Sequence, residues 1–241
     1  MGQFFRLYGR NSVSERLKVN PETIHHVLID KSQDVKGLEQ LCKLKRIPIR
    51  YLSERDFEKI SRNIRAQGII ADVEKFYYTT LDAILSLPQE KLPTLIFLDS
   101  LNDPQNFGSI LRSAACFGGF AIVLPKHDSV EITEAVLRVA SGGENYVSIT
   151  QVTNLSSAIN EAKQCGYSIA GAMVGGGQAL PKVHFTFPLG LVIGSEAKGI
   201  RHGLLKQLDV TFTIPAKGAA LSFNAAIASG IVCYEVCRQR K

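Results

Sequence analysis

The sequence predicts an α/β protein in which a small α/β domain precedes a larger domain built on a parallel sheet. The parallel sheet is predicted because continuous apolar runs, such as Thr94–Asp99 and Leu189–Gly194, alternate with helical stretches. Strands of a parallel sheet have such runs because helices cover both of its faces. The stretch PQEKLP at 88–93 has the polar, proline-containing composition of a linker between the two domains.

The first domain is predicted from short strands that alternate with helices. Ser53 is expected to cap the second helix, with Asp56 in the place of the glutamate of a capping box. The predicted elements are, in order, a strand at 25–30, a helix at 35–44, a strand at 48–52, a helix from Ser53 and a strand at 68–72. We therefore expect a first domain over 1–76, a linker over 77–92 and a second domain over 93–241.

The second domain contains the stronger strand signals, and it ends in an unusually apolar helix. The predicted strands are 94–99, 120–125, 167–173, 189–194 and 210–215, and the predicted helices are about 107–117, 131–140, 155–165, 199–207 and 222–238. A helix that is apolar on most of its circumference must be buried on most sides. For the last helix, a second subunit is a good candidate for the covering surface.

Composition excludes several classes of protein and permits an RNA partner. Among the 241 residues, no apolar run is long enough to span a membrane. The first residues lack the apolar core and the cleavage site of a signal peptide. The five cysteines are odd in number and form no C-x-x-C, and the histidines form no H-E-x-x-H. We therefore expect a cytoplasmic protein without disulfides, metal or membrane contact. The net charge of +6 is compatible with a polyanionic partner.

Three polar, glycine-containing segments follow predicted strands of the second domain. They begin at Asp103, at Gly194 and at Ala216. Ligands of parallel α/β sheets bind beyond the carboxyl ends of strands, so these segments are the candidate site. The common loops are excluded on their own residues, because no dinucleotide fingerprint, P-loop or G-x-S-x-G elbow is present.

Taken singly, each segment also has a purely structural interpretation. Asn106 is expected to cap a helix that begins at Phe107, with Arg112 on its polar side. Ser222 or Asn224 is expected to cap the last helix. Capping residues and a surface arginine would explain these positions without any chemistry.

Together, the three segments resemble the three motifs of the SpoU (TrmH-like) RNA 2′-O-ribose methyltransferases, in the right order. The matching stretches are DPQNFGSILRSAACFG at 103–118, VIGSEAKG at 192–199 and IPAKGAALSFN at 214–224. The N-terminal stretches LYGRNSVSERL at 7–17 and AQGII at 66–70 are similar to an auxiliary substrate-binding domain. That domain belongs to bacterial enzymes that methylate a guanosine in 23S rRNA.

The resemblance implies a fold, a cofactor and a set of site residues. The fold would be a catalytic domain of the SPOUT class with a C-terminal trefoil knot, preceded by a domain like ribosomal protein L30e. S-adenosylmethionine would be the methyl donor, rRNA the substrate, and the chain would form a homodimer through the catalytic domain. The implied catalytic residues are Arg112, Asn106, Glu196, Ser222 and Asn224, and the implied cofactor contacts are Gly194, Ile214, Phe223, Ala172 and Ser222.

Departures from the family pattern bear on the substrate. Ala66, Ala197, Ala216 and Phe223 stand where the family usually has histidine, glycine, methionine and leucine. A tRNA methyltransferase of the same family and a non-catalytic RNA-binding protein therefore remain alternatives.

The identity of the general base also stays open. The resemblance casts Arg112 as the base, although an arginine guanidinium gives up its proton too reluctantly to suit that role. A phosphate oxygen of the RNA could accept the proton instead.

Overall fold

The computed structural model describes residues 4–62, 64–195, 198–219 and 221–240. The chain divides into two compact units, Met1–Tyr77 with Ile132–Asn145, and Tyr78–Glu131 with Tyr146–Lys241. Strands and helices are numbered along the chain.

The first unit is built on a mixed four-stranded sheet. Strands β1 and β4 and strands β4 and β2 pair antiparallel, while β2 and β3 pair parallel, in the order β1-β4-β2-β3. The elements are β1 (Phe5–Tyr8), α1 (Arg10–Val19), β2 (Ile24–Asp30), α2 (Lys36–Leu44), β3 (Ile49–Leu52), α3 (Glu54–Ser61) and β4 (Ile69–Val73). The predicted cap of α3 is confirmed, because the Ser53 hydroxyl accepts a hydrogen bond from the Asp56 amide.

The segment 132–145 packs with the first unit, whereas the sequence-based limits assigned it to the second domain. The limits 1–76, 77–92 and 93–241 stay a prediction. Arg16 of α1 and Glu144 are both buried, and Arg16 Nη2 lies 3.3 Å from Glu144 Oε1. Val136 and Leu137 are also buried, so this segment contributes apolar side chains as well as a paired carboxylate to the interior of the first unit.

This buried ion pair predicts a pH-dependent stability. Burial raises the pKa of Glu144 despite the adjacent arginine. A carboxyl group whose pKa is raised on folding contributes its full stabilisation at pH values below its pKa in the unfolded chain. That contribution is lost as the pH rises through its pKa in the folded protein. We expect Arg16→Met to lower the free energy of unfolding by about 3–5 kcal/mol at pH 7.5, because it leaves a buried carboxylate unpaired.

Urea unfolding at pH 5 and pH 7.5 measures this effect. The loss in Arg16→Met should be smaller at pH 5, and adding Glu144→Gln should restore most of the stability at pH 7.5. An equal loss at both pH values, or no rescue in the double variant, would contradict a charge effect.

The second unit contains a seven-stranded parallel sheet in the order β7-β6-β5-β10-β8-β11-β9. The remaining elements of the chain are α4 (Leu81–Leu85), β5 (Thr94–Asp99), α5 (Pro104–Phe117), β6 (Phe120–Pro125), α6 (Glu134–Ala140, in the first unit), β7 (Ser148–Val152), α7 (Leu155–Gln164), β8 (Ser168–Met173), β9 (Gln178–Ala179), β10 (Leu189–Gly194), α8 (His202–Leu205), β11 (Val210–Thr213) and α9 (Ala225–Gln239). The predicted parallel sheet is therefore confirmed.

Helices cover both faces of this sheet, which explains its continuous apolar strands. Every residue of β5 and of β6 is buried. Alternate residues of these strands, including Leu95 and Phe97, join a core cluster with Leu155 and Ile159 of α7. The other face is covered by α5 and α9, which pack against each other. This arrangement leaves the carboxyl edge of the sheet to the connecting loops.

None of the described helices is long and apolar enough to cross a membrane. Likewise, the described residues include no cluster of three or more histidine, cysteine or acidic side chains that could hold a metal. Burial raises the pKa of the Cys42 thiol to about 11 and that of Cys233 to about 12, so both remain protonated packing residues near neutral pH.

Candidate active site

A cavity of about 790 Å³ opens at the carboxyl ends of β8, β10 and β11. Its volume lies in the usual range for sites that bind cofactor-sized molecules. The walls are formed by residues 172–174, 193–195, 199, 213–216, 218–219 and 221–223, together with Ala225 and Ala228. The cavity therefore lies where a parallel sheet is expected to bind its ligand.

The residues that the resemblance assigned to the cofactor all line this one cavity. They come from four separate places in the sequence, namely Ala172, Gly194, Ile214, and the adjacent Ser222 and Phe223. The fold thus brings the ends of three strands and the start of α9 to a common space. Their contact with a cofactor stays a prediction.

The turn after β10 is too tight for any residue but glycine at its first position. A Cβ on Gly194 would lie 2.1 Å from the carbonyl carbon of Gly199. Ser195 and Gly199 form an isolated bridge in which the Gly199 amide donates to the Ser195 carbonyl at 2.8 Å. This turn forms one wall of the cavity. Glu196, one of the predicted catalytic residues, lies outside the described residues.

The start of α5 differs from the sequence prediction. Helix α5 begins at Pro104, and Asp103 is its cap, with side-chain oxygens 3.0 Å from the Gln105 amide and 3.3 Å from the Asn106 amide. The prediction that Asn106 caps a helix from Phe107 is therefore wrong. Proline at the first helical position is favourable, since its missing N–H needs no partner there.

Asn106 is instead buried and paired with Asn224, which caps α9. Asn224 Nδ2 donates to Asn106 Oδ1 at 2.8 Å, and Asn224 Oδ1 accepts from the Ile227 amide at 2.8 Å. Of the two predicted caps of α9, the structure thus selects Asn224 over Ser222. The pair joins the starts of α5 and α9, and Ser222, just before α9, lines the cavity.

Arg112 lies on the exposed side of α5 and is not among the residues that line the cavity. It forms no hydrogen bond or ion pair with any residue that the structure describes. A single chain therefore joins Asn106 to Asn224 and places Ser222 in the cavity, while the Arg112 side chain points to solvent.

The described lining residues carry no ionisable side chain. A ligand here would meet apolar walls, backbone groups and the hydroxyls of Ser195, Thr213 and Ser222. Sequence reasoning missed Met173, Val174 and the Thr213 hydroxyl as wall residues. The signal was available, because Met173 and Val174 stand at the end of β8, next to β10, and Thr213 ends β11, the strand beyond β8, at the same sheet edge.

The amide pair predicts a coupled effect on stability. Asn224→Ser keeps a capping oxygen but is too short to reach Asn106. We expect a double-mutant cycle with Asn106→Ala to give a coupling of about 0.5–1.5 kcal/mol in the free energy of unfolding. Additive losses in the two variants would show that the bond contributes nothing to folding.

Comparisons with known proteins agree with this geometry. Residues 93–234 match the SpoU rRNA Methylase family, and residues 6–79 match the RNA 2′-O ribose methyltransferase substrate binding domain. A protein of Bacillus subtilis named as a TrmH family tRNA/rRNA methyltransferase is 32% identical over 96% of this chain and 94% of its own length. One of Synechocystis, named as a tRNA/rRNA methyltransferase, is 38% identical over 76% of this chain, which is about half (48%) of that relative.

Solved structures share the fold over nearly the whole chain. An RNA methyltransferase of the TrmH family from Porphyromonas gingivalis superposes with a TM-score of 0.77 at 25% identity, over 99% of this chain and 91% of the other. The SpoU methyltransferase AviRb from Streptomyces viridochromogenes, in complex with AdoMet, has a TM-score of 0.81 at 23% identity, over 99% and 91%. The fold is that of parallel-sheet α/β proteins, with a cavity at the carboxyl edge of the sheet. The chain belongs to the SpoU family of RNA methyltransferases.

Proposed function

We propose that this protein transfers a methyl group from S-adenosylmethionine to a ribose 2′-hydroxyl of RNA. The observation that supports the proposal is the cavity beyond β8, β10 and β11, which is lined by every residue that the resemblance assigned to the cofactor. A related fold, that of AviRb, was solved with AdoMet bound.

The lining residues fit S-adenosylmethionine. Ile214, Leu221 and Phe223 offer apolar surface to a flat base, and the Gly194 turn offers backbone groups. A Cβ on Gly218 would meet no atom within 4 Å, so the backbone there is open to a ligand. When bound, the cofactor supplies an electrophilic methyl group on a sulfonium.

The chain's own residues would position the ribose. Asn106 and Asn224 hold the starts of α5 and α9 together, and Ser222 lines the cavity, where its hydroxyl would help to orient the ribose. Glu196 would order the loops around it. Alignment of this kind can supply about 7–11 kcal/mol of a reaction barrier.

Arg112 would contact the 2′-hydroxyl and the adjacent phosphate. An arginine guanidinium has N–H donors and no acceptor, so it is a poor base. As the new O–CH3 bond forms and the S–CH3 bond breaks, the hydroxyl proton would pass to a phosphate oxygen. Arg112 would then supply charge and position.

We propose that the chain works as a homodimer through its second unit. Four large apolar side chains of α5, α9 and the residues before α9 are 39–60% exposed, namely Phe117, Phe223, Ile227 and Tyr234. Phe117 and Tyr234 form an edge-to-face pair with ring centroids 6.4 Å apart. A second copy on this face would cover these residues and bring an Arg112 of one chain near the cavity of the other.

We also propose the family's C-terminal trefoil knot and an L30e-like first domain. Support for the knot is that β10 lies between β5 and β8, and that the loops after β10 and β11 meet at one cavity. Support for the first domain is the match of residues 6–79 to the substrate-binding domain of RNA 2′-O ribose methyltransferases.

For the substrate we propose a guanosine of 23S rRNA, methylated in the cytoplasm. The substrate-binding match and the resemblance of the whole chain favour rRNA. The relatives from Bacillus subtilis and Synechocystis are named as tRNA/rRNA methyltransferases, so tRNA is the second candidate.

Mapping of 2′-O-methyl groups in RNA from cells that lack this protein tests the proposal. We expect one 23S rRNA guanosine to lose its methyl group and to regain it when the gene is restored. A change confined to tRNA would overturn the substrate. If the purified protein does not bind S-adenosylmethionine, or does not incorporate methyl groups into RNA, the alternative of a non-catalytic RNA-binding protein is favoured.

A further inference from the structure

A second cavity, of about 370 Å³, lies at the carboxyl ends of β5, β6 and β7. It shares no described lining residue with the first cavity. Its walls include Ser100, His127, Thr153, Ser156, Arg201 and Gly203. Both cavities thus lie at the carboxyl edge of one sheet, and nothing in the proposed chemistry uses the second.

A buried carboxylate organises the rim of this cavity. Asp99, the last residue of β5, is fully buried. Its Oδ1 accepts hydrogen bonds from Arg201 Nε at 2.5 Å and from Ser100 Oγ at 3.2 Å, and its Oδ2 accepts from the Arg201 amide at 2.8 Å. An ion pair between a buried carboxylate and an exposed arginine is poor evidence for stabilisation, because desolvation of the carboxylate offsets the attraction. Its clear effect here is to fix the position of Arg201.

The two terminal nitrogens of Arg201 are available to bind a ligand. Neither Nη1 nor Nη2 hydrogen-bonds to any residue within the described ranges, and 55% of the side chain is exposed. A guanidinium fixed at Nε presents its remaining N–H groups as a rigid fork, which suits the paired oxygens of a phosphate.

The other polar groups of the wall are mostly neutral. Ser156 Oγ lies 2.6 Å from Gln207 Nε2, so this hydroxyl is a neutral polar group held in the wall. The first amides of α7 are already bonded to Asn154, so the helix start does not make the site. The acidic residue of the described wall, Asp128, is exposed, so it can turn toward water.

We propose that this second cavity binds a phosphate of the RNA strand whose ribose lies at the first cavity. The inference rests on the proposed function, which supplies the RNA. Asp99 pairs with Gly194 across neighbouring strands, which are about 4.8 Å apart. The segment from Gly194 to Arg201 therefore begins at one cavity and ends at the other, within reach of adjoining nucleotides.

Substitutions at Gly203 test this without disturbing the Asp99–Arg201 pair. A Cβ on Gly203 meets no atom within 4 Å, so a longer side chain fits. We expect Gly203→Glu to weaken RNA binding roughly threefold to tenfold at 0.1 M salt relative to the neutral control Gly203→Gln. Gly203→Lys should strengthen it. The slope of log K against log salt should become shallower by about 0.7 in Gly203→Glu, as for one lost phosphate contact on a single strand.

Melting temperature and S-adenosylmethionine binding should be equal in the three variants, which shows that the fold and the first cavity are intact. Arg201→Lys, which keeps a charge beside Asp99 but loses the fork, should also weaken RNA binding. Equal RNA affinity and salt slope in Gly203→Glu and Gly203→Gln, in a protein that still methylates RNA, would overturn this site alone.

Inorganic phosphate distinguishes the two sources of the anion. If Gly203→Glu weakens binding of free phosphate but leaves RNA binding unchanged, the cavity takes a free anion and the RNA assignment is wrong. If the wild-type protein neither binds nor methylates RNA, the proposed function fails as well.

Discussion

Replacing Arg112 with alanine is expected to lower the rate of methyl transfer about 100- to 1000-fold, the usual cost of removing one donor that stabilises developing charge. The affinity for S-adenosylmethionine should stay unchanged, because Arg112 does not line the cavity of its own chain and its proposed contacts are with the RNA. The exposed position of Arg112 makes a loss of stability small. Single-turnover methyl transfer and a cofactor titration on the same preparation measure both quantities.

Arg112→Lys is the matched control for charge without the guanidinium fork. We expect it to remain strongly impaired, because a lysine cannot contact the hydroxyl and the phosphate in one plane. Near-normal turnover of Arg112→Lys would refute the need for a guanidinium. Retained activity in Arg112→Ala would remove this residue from the catalytic centre.

Gly194→Ala is expected to lower the affinity for S-adenosylmethionine about 10- to 100-fold. The new Cβ would lie 2.1 Å from Gly199 C and 2.3 Å from both Gly199 O and Ile200 N, all of them backbone atoms that cannot rotate away. The turn must shift, and overpacking of this kind costs about 1–3 kcal/mol. Calorimetric titration of the cofactor measures the change.

Gly203→Ala is the matched control for this substitution, because its Cβ meets no atom within 4 Å and Gly203 does not line the first cavity. Its cofactor affinity should equal that of the wild type. Normal cofactor binding by Gly194→Ala would mean that the turn after β10 is not part of the site.

The strongest strands of the second unit were predictable to the residue. Strands β5, β6 and β10 have the predicted bounds because both of their faces are buried, which produces continuous apolar runs. Strand β7 was missed because only its middle residues are buried and its sequence, SITQV, is mostly polar. Strand β9 has two residues and produces no pattern at all.

The first unit shows how tertiary contacts override local signals. Strand β1 is short and only half of its residues are buried, and α1 has few apolar residues, so neither was predicted. The placement of 132–145 depends on Arg16 and Glu144, which are 128 residues apart in the sequence. No local pattern can reveal such a pairing.

The candidate site was predictable in its parts but not in its connections. The rule that ligands bind beyond strand ends pointed to the three segments that form the cavity. The pairing of Asn106 with Asn224, separated by 118 residues, could not be read from spacing. Asn106 was predicted to be the cap because its side-chain oxygen can accept a hydrogen bond from a backbone amide. In the structure the side chain of Asp103, three residues earlier, has this role.

A crystal structure with S-adenosylhomocysteine bound tests the central claim most directly. We predict the ligand in the cavity beyond β8, β10 and β11, in contact with Gly194, Ile214 and Phe223. An Arg112 side chain, from the same chain or from a second copy, should face the sulfur. A ligand bound elsewhere, or Arg112 remote from the Gly194 and Ser222 turns both within a chain and across a symmetric pair, would contradict the account.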